Sequence, residues 1–195
     1  MDWGNGMIKD QDFIKNPNVP GPTKEEIRCI IMCKSDVSKT SVVVDIGCGT
    51  GGLTVEFAKR AETVYAVDMN PMAIKTTIEN IQKHDVDTNV EIIEGDGLHV
   101  LDELENIDIL MIGGSKGKLS KIIKKGYEKL NKGGKILVTS ILLETATEAI
   151  STFKNLSITP DVINVAISKG KVTKTGTMIT ANNPITIISI QKPLN

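Results

Sequence analysis

From Val42 to Gly52 the chain runs Val-Val-Val-Asp-Ile-Gly-Cys-Gly-Thr-Gly-Gly. This stretch limits the possible folds more than any other. A β-branched run with no charge before Asp45 is the pattern of a strand buried on both faces of a parallel sheet. A glycine cluster ends it, and helical periodicity follows. The unit is therefore strand, glycine turn, helix. In an open α/β sheet that unit receives nucleotide-type ligands beyond the carboxyl ends of the strands. Glycine permits φ > 0 and brings bare backbone against the ligand. The free N–H groups of the next helix then point at it.

Two families fit the loop. Gly47, Gly49 and Gly52 satisfy G-x-G-x-x-G, the dinucleotide fingerprint. Asp45 shifts the balance, because a pyrophosphate gains nothing from a neighbouring carboxylate. S-adenosylmethionine carries an ammonium and a sulfonium, and a carboxylate suits both. The string Val-Asp-Ile-Gly-Cys-Gly-Thr-Gly-Gly resembles motif I of the Rossmann-like methyltransferases.

Along the rest of the chain, residues 1–22 are polar and proline-bearing and are expected to form an irregular arm. Thr23 to Glu26 fits a capping box, with a helix to about Lys34. The periodicity predicts a helix over 53–59 and a strand over 63–68. A helix opened by Pro71 follows, with Ile74, Ile78 and Ile81 on its buried side. Strands are predicted over 90–94, 107–112 and 135–140. A helix beginning at Leu119 is expected to close at Gly133-Gly134, and another spans 142–153. Two last strands, 157–168 and 184–191, are joined by a Gly/Lys/Thr-rich segment. Strand–helix alternation with a final strand pair predicts one α/β domain of three layers over residues 1–195. The methyltransferase resemblance implies a seven-stranded, mostly parallel sheet with an antiparallel last strand and helices on both faces.

Composition narrows the function classes. The chain has 195 residues, 40% hydrophobic and 24% charged, with a net charge of −1. That balance gives no general attraction to nucleic acid. No apolar run approaches the roughly 18 residues of a membrane span. The first residues show no apolar signal-peptide core, so a cytoplasmic protein is expected. Cys29, Cys33 and Cys48 form no C-x-x-C pair, and His84 and His99 add little, so no metal site is expected.

Strand ends supply the candidate ligand contacts. Asp68 can accept from both ribose hydroxyls, in NAD and S-adenosylmethionine proteins alike. Asp96-Gly97 resembles the family's adenine-edge position, and is equally an ordinary Asp-Gly turn. Gly113 offers a carbonyl where the methionine ammonium commonly sits. Thr23 is either an N-cap or a residue lying over the cofactor. Together with Asp45, Gly47, Cys48, Gly49, Thr50 and Gly51, these are the expected S-adenosyl-L-methionine contacts. After strand 107–112 the Asn/Asp-Pro-Pro-Tyr motif of amino-methyltransferases is absent. Gly113-Gly114-Ser115-Lys116 stands there instead, leaving room for a bulky, flat substrate.

A closer resemblance spans nearly the whole chain. Phe13-Ile14-Lys15 and Pro20 to Arg28 resemble the N-terminal signature of the decarboxylating cobalt-precorrin-6B methyltransferases of cobalamin synthesis. Asp108 to Gly114 resembles their fourth strand. Gly170-Lys171, Gly176-Thr177-Met178 and Asn183-Pro184 resemble their C-terminal hairpin. The resemblance implies methylation of carbon 15 of a tetrapyrrole, loss of carbon dioxide from the acetate at carbon 12, and a homotetramer. Gly114, Ser115 and Lys116 are then expected at the substrate. Lys118, Lys169, Lys171 and Lys174 are expected to join Lys116 around one cleft. No catalytic acid or base is identifiable. Two alternatives stay open: an RNA methyltransferase of the same fold, and a non-catalytic S-adenosylmethionine-binding domain. The RNA reading needs a stacking platform, from one Trp, two Tyr and three Phe.

Overall fold

The computed structural model describes residues 6–194. Seven strands form one sheet: β1 (Val42–Ile46), β2 (Thr63–Asp68), β3 (Val90–Glu94), β4 (Ile107–Ile112), β5 (Leu130–Ser140), β6 (Asp161–Val165) and β9 (Ile185–Gln191). Their order is β3-β2-β1-β4-β5-β9-β6. The first five run parallel, and β9 runs antiparallel to both of its neighbours, β5 and β6. The expected methyltransferase-type sheet is therefore present.

Alternate side chains of the central strands feed two cores. Val44, Leu110, Val138 and Ile188 lie on one face. There they meet α4 (Gly97–Glu103), α5 (Leu119–Lys129) and α6 (Leu143–Asn155). Val43, Ile109, Leu137 and Ile187 lie on the other. That face carries α1 (Glu25–Ser35), α2 (Gly52–Ala58) and α3 (Pro71–Lys83). Burial on both faces is what makes the strands read as unbroken apolar runs. Each such side chain contributes about 1.5–3 kcal/mol.

Four details differ from the sequence expectation. The capping box at Thr23 does not form: Lys24 is the N-cap of α1 and makes no side-chain cap. Asp10, from the arm, accepts from the Glu25 N–H at 2.8 Å instead. The arm is irregular but anchored, with Ile8, Phe13 and Val19 buried. The Asp96-Gly97 turn opens α4, a helix the periodicity did not announce: Asp96 accepts from the Leu98 N–H at 3.0 Å. Gly133-Gly134 caps no helix, because α5 has already ended at Lys129. Gly133, at φ +78°, instead donates its N–H to the Lys192 carbonyl at 3.0 Å, pairing β5 with the chain's end.

The largest difference is the Gly/Lys/Thr-rich connection. It is a β-hairpin of β7 (Ser168–Thr173) and β8 (Gly176–Ala181), separate from the main sheet. The strand expected over 157–168 is the shorter β6. Among the described residues no helix is long and apolar enough to cross a membrane, and no cluster of His, Cys, Asp and Glu is arranged to hold a metal ion.

Candidate cofactor and substrate site

A cavity of about 310 Å³ opens beyond the carboxyl ends of β1, β2 and β4. Its centre is where the strand order reverses: β1 passes to β2 on one side and to β4 on the other. The helices following β1 and β4 leave to opposite faces, so a crevice is left between them. Backbone closes its floor. The Gly47 and Cys48 N–H groups donate to the Val67 carbonyl at 2.8 and 3.1 Å, and Gly113 N–H donates to the Ile46 carbonyl at 2.8 Å. A Cβ on Gly47 would stand 2.5 Å from the backbone nitrogen of Gly114, so no other residue fits there.

Gly49 differs: at φ +60° its Cβ would meet no atom nearer than 4.0 Å. Its freedom serves the conformation and leaves space above the turn. Asp68 fixes the turn from β2, with one oxygen accepting from Gly49 N–H at 3.0 Å and the other from Asn70 N–H at 2.9 Å. From α3, Thr77 donates its hydroxyl to the Gly49 carbonyl at 2.9 Å. Asn80 donates to the Thr50 carbonyl at 2.8 Å and to the Ile14 carbonyl at 3.0 Å, tying the arm to the loop. Sequence reasoning missed Thr77 and Asn80. Their only signal was polar residues on the side of α3 that also carries Ile74 and Ile81.

Asp45 is 1% exposed. Its Oδ2 accepts from the Thr54 hydroxyl at 2.7 Å. Burial pushes its carboxyl up to about 6; the Thr54 hydrogen bond opposes this and Asp68 adds to it. Burial also pushes the Cys48 thiol up, so it is no thiolate nucleophile. The Thr50 hydroxyl is buried and finds no hydrogen-bond partner among the described residues. A buried donor left unpaired costs free energy, and here it lines the cavity.

Of the expected site residues, Thr23, Asp45, Gly47, Cys48, Gly49, Thr50, Asp68, Asp96, Gly97, Gly113, Gly114, Ser115 and Lys116 line this cavity. Gly51 does not: it caps α2 and packs on Thr77. One wall went unforeseen, the arm segment Val19 to Pro22. The arm is held there by Arg28, a fully buried guanidinium that donates to the Thr23 and Ile8 carbonyls. Arg28 also pairs with Glu56 at 3.4 Å and Asp10 at 2.9 Å.

The lysines do not gather as expected. Lys116 alone lines the cavity. Lys118 pairs with Asp96 and holds that carboxyl below its usual range. Lys169 pairs with Glu26 at 2.7 Å and lies 3.6 Å from Asp10. Lys171 and Lys174 belong to the hairpin segment and line no part of the cavity. Neither His84 nor His99 lines it either.

Known proteins resemble the chain over nearly its whole length. The chain matches the family model of the precorrin methyltransferase domain over residues 21–192. It is 46% identical over 182 residues to a Methanothermobacter thermautotrophicus protein named probable cobalt-precorrin-6B C(15)-methyltransferase (decarboxylating), covering 93% of this chain and 95% of that protein. A protein of the same name from Methanobrevibacter smithii is 47% identical over 186 residues, covering 95% of this chain and all of that one. Among solved structures, precorrin 8W decarboxylase of Methanobacterium thermoautotrophicum superposes with a TM-score of 0.92 at 46% identity, covering 94% of this chain and 98% of that one. Precorrin-6Y C5,15-methyltransferase of Geobacter metallireducens gives 0.88 at 27% identity, over 95% and 97%.

Asp45 yields a pH prediction. Its proton is held more tightly folded than unfolded, so the folded state binds more protons between the ordinary carboxylate range and about pH 6. Its contribution to stability therefore falls as pH rises through that window and stays low above it. Roughly two pH units correspond to about 3 kcal/mol. Asp45→Asn should thus be more stable than wild type at pH 8, with the advantage shrinking toward pH 4. Urea unfolding at both pH values measures this. An equal difference at the two would mean that Asp45 keeps an ordinary pKa.

Proposed function

This chain belongs to the precorrin methyltransferase family, and we propose that it methylates carbon 15 of cobalt-precorrin-6B and removes carbon dioxide from the acetate at carbon 12. S-adenosylmethionine is the methyl donor, supplying when bound a methyl group on a positively charged sulfur. One observation carries the cofactor reading: a buried carboxylate, Asp45, and an unpartnered buried hydroxyl, Thr50, share a cavity with a bare glycine turn. That combination fits a small cationic nucleoside. In this reading Asp68 holds the ribose hydroxyls. Asp96 and the Gly97 N–H face the adenine edge. The Gly113 carbonyl meets the ammonium.

The chain's own work is then positional. Gly113-Gly114-Ser115 and the arm segment Val19 to Pro22 line the cavity that would hold the cofactor, and a macrocycle would lie at its mouth. Holding two reactants in line supplies a large part of such a barrier by itself. Methylation of a C–H carbon releases a proton, and the decarboxylated side chain takes one up to become a methyl group, so the two halves balance. No residue of the cavity wall is assigned to carry that proton. His84 packs at a tilt against Phe13, and burial, with Lys59 and Lys83, keeps its pKa low. Electrons from decarboxylation have a sink in the substrate's own conjugated ring.

The reaction is tested by incubating the protein with cobalt-precorrin-6B and S-adenosylmethionine and weighing the product. Gain of one methyl with loss of carbon dioxide is expected. Methyl gain alone would remove the decarboxylase, and no change with RNA methylated instead would replace the whole reading. For the cofactor, Asp68→Ala removes two charge-assisted hydrogen bonds. At about 1.5–3 kcal/mol each, S-adenosylmethionine affinity by calorimetry should fall by roughly 10² or more. An unchanged Kd would locate the ribose elsewhere.

We also propose a cytoplasmic homotetramer that binds no nucleic acid. The hairpin supports self-association. The register Val172↔Thr177 and Gly170↔Ile179 puts Val172 and Ile179 on one face, and they are 80% and 66% exposed. Light scattering should return four times the 21.1 kDa chain mass; a single-chain mass at micromolar concentration would overturn the tetramer.

A further inference from the structure

β5 ends against the cavity, which Thr139 lines. Immediately beyond it the chain exposes three large aliphatic side chains in a row. Ile141 is 64% exposed, Leu142 58% and Leu143 78%. Such a run is unusual on a soluble surface and marks a place where something apolar docks. It is also held in shape. The Leu142 N–H donates to the Ser140 hydroxyl at 2.8 Å, and that hydroxyl is 2.9 Å from the Leu142 carbonyl. Ser140 thus folds the segment into a fixed turn before α6.

The neighbouring strand, β4, carries the glycine floor and then Lys116. Lys116 is exposed, and among the described residues it makes no ion pair or hydrogen bond, unlike Lys118 beside it. An apolar step beyond the end of β5 and an unpaired ammonium beyond the end of the adjacent, parallel β4 therefore stand at the same edge of the sheet, the edge on which the cavity opens. A ligand complementary to both has a broad apolar body and acidic groups at its edge.

We propose that Ile141, Leu142 and Leu143 seat one face of the tetrapyrrole substrate, with Lys116 meeting a carboxylate on its rim. The inference rests on the functional reading above; Lys116 was already expected at the substrate, and the aliphatic seat of Ile141, Leu142 and Leu143 is what it adds. The step adjoins the cavity rather than the hairpin, which favours the substrate over a second copy of the chain as its occupant.

The test is the double variant Ile141→Ser, Leu143→Ser, assayed beside Lys116→Ala with cobalt-precorrin-6B. All three side chains are exposed, so the fold should persist. Losing contacts made equally in the ground and transition states raises KM and leaves kcat unchanged. The double variant should raise the tetrapyrrole KM by roughly tenfold. Its S-adenosylmethionine Kd should stay within about twofold of wild type. Lys116→Ala should raise KM as well and flatten its dependence on salt. A tetrapyrrole KM unchanged in the double variant would overturn the inference while wild-type turnover left the functional reading standing. An unchanged KM with a lower mass by light scattering would give the step to a second copy. If wild type itself leaves cobalt-precorrin-6B unaltered, the functional reading fails and the inference falls with it.

Discussion

The tips of β1 and β4 meet backbone to backbone, and the rest of the site depends on that approach. Gly47 lies where any side chain would overlap Gly114. The contact joins the two strands that stand on either side of the reversal in strand order. Because α2 leaves toward one face and α5 toward the other, no helix fills the space above the joint. The cavity is a consequence of topology, and the glycines set how deep its floor lies. A side chain at Gly47 would push the two tips apart and move Gly113, whose N–H is held by the Ile46 carbonyl.

Bare backbone does not hold such a floor by itself, and buried polar side chains do that work from outside. Thr77 and Asn80 reach in from α3 to the carbonyls of Gly49 and Thr50. Asn80 also accepts from the Ile14 N–H at 2.7 Å. The arm is then fastened a second time through Arg28, Asp10 and Glu56. Glu56 accepts from the Ile8 N–H at 2.9 Å and from Arg60 at 2.8 Å. Breaking a buried pair of this kind strands a charge, at a cost of about 3–5 kcal/mol. Such a network therefore fixes geometry more than it adds stability. Here it holds the arm as a wall of the cavity.

Local pattern carried most of the fold. Val42–Ile46, Ile107–Ile112 and the Ile74/Ile81 face of α3 declare themselves because burial on fixed sides leaves a period in the sequence. The glycine turn and the acids at the strand ends followed from chemistry in the same way. What was illegible depended on partners distant in sequence. Asp10 caps α1 from the arm, so the local capping box at Thr23 stood idle. Gly133 answers to Lys192 rather than to its own helix. The hairpin of β7 and β8 is exposed throughout, so no core-facing period marked its strands, and β propensity alone is weak in such a setting. The lysines were misjudged for a related reason. Charge composition says nothing about which ammonium is already paired, as Lys118 is with Asp96 and Lys169 with Glu26.

The distribution of charge fits a site that works by placement. The acids lie inside: Asp45 is buried near the carboxyl end of β1, and Asp68 is locked by two N–H groups. The unpaired cation lies outside, on Lys116 at the mouth. A buried carboxylate with its pKa raised by desolvation is an unfavourable charge waiting for a counter-ion, and a cationic ligand would relieve it. A single lysine at the rim cannot hold a polyanion tightly, but it can orient one whose body already rests on apolar surface. In the proposed reading, two reactants of opposite charge occupy different levels of one crevice, the small cation deep and the large anion above it. Their order in space then follows from where the strands leave their charges.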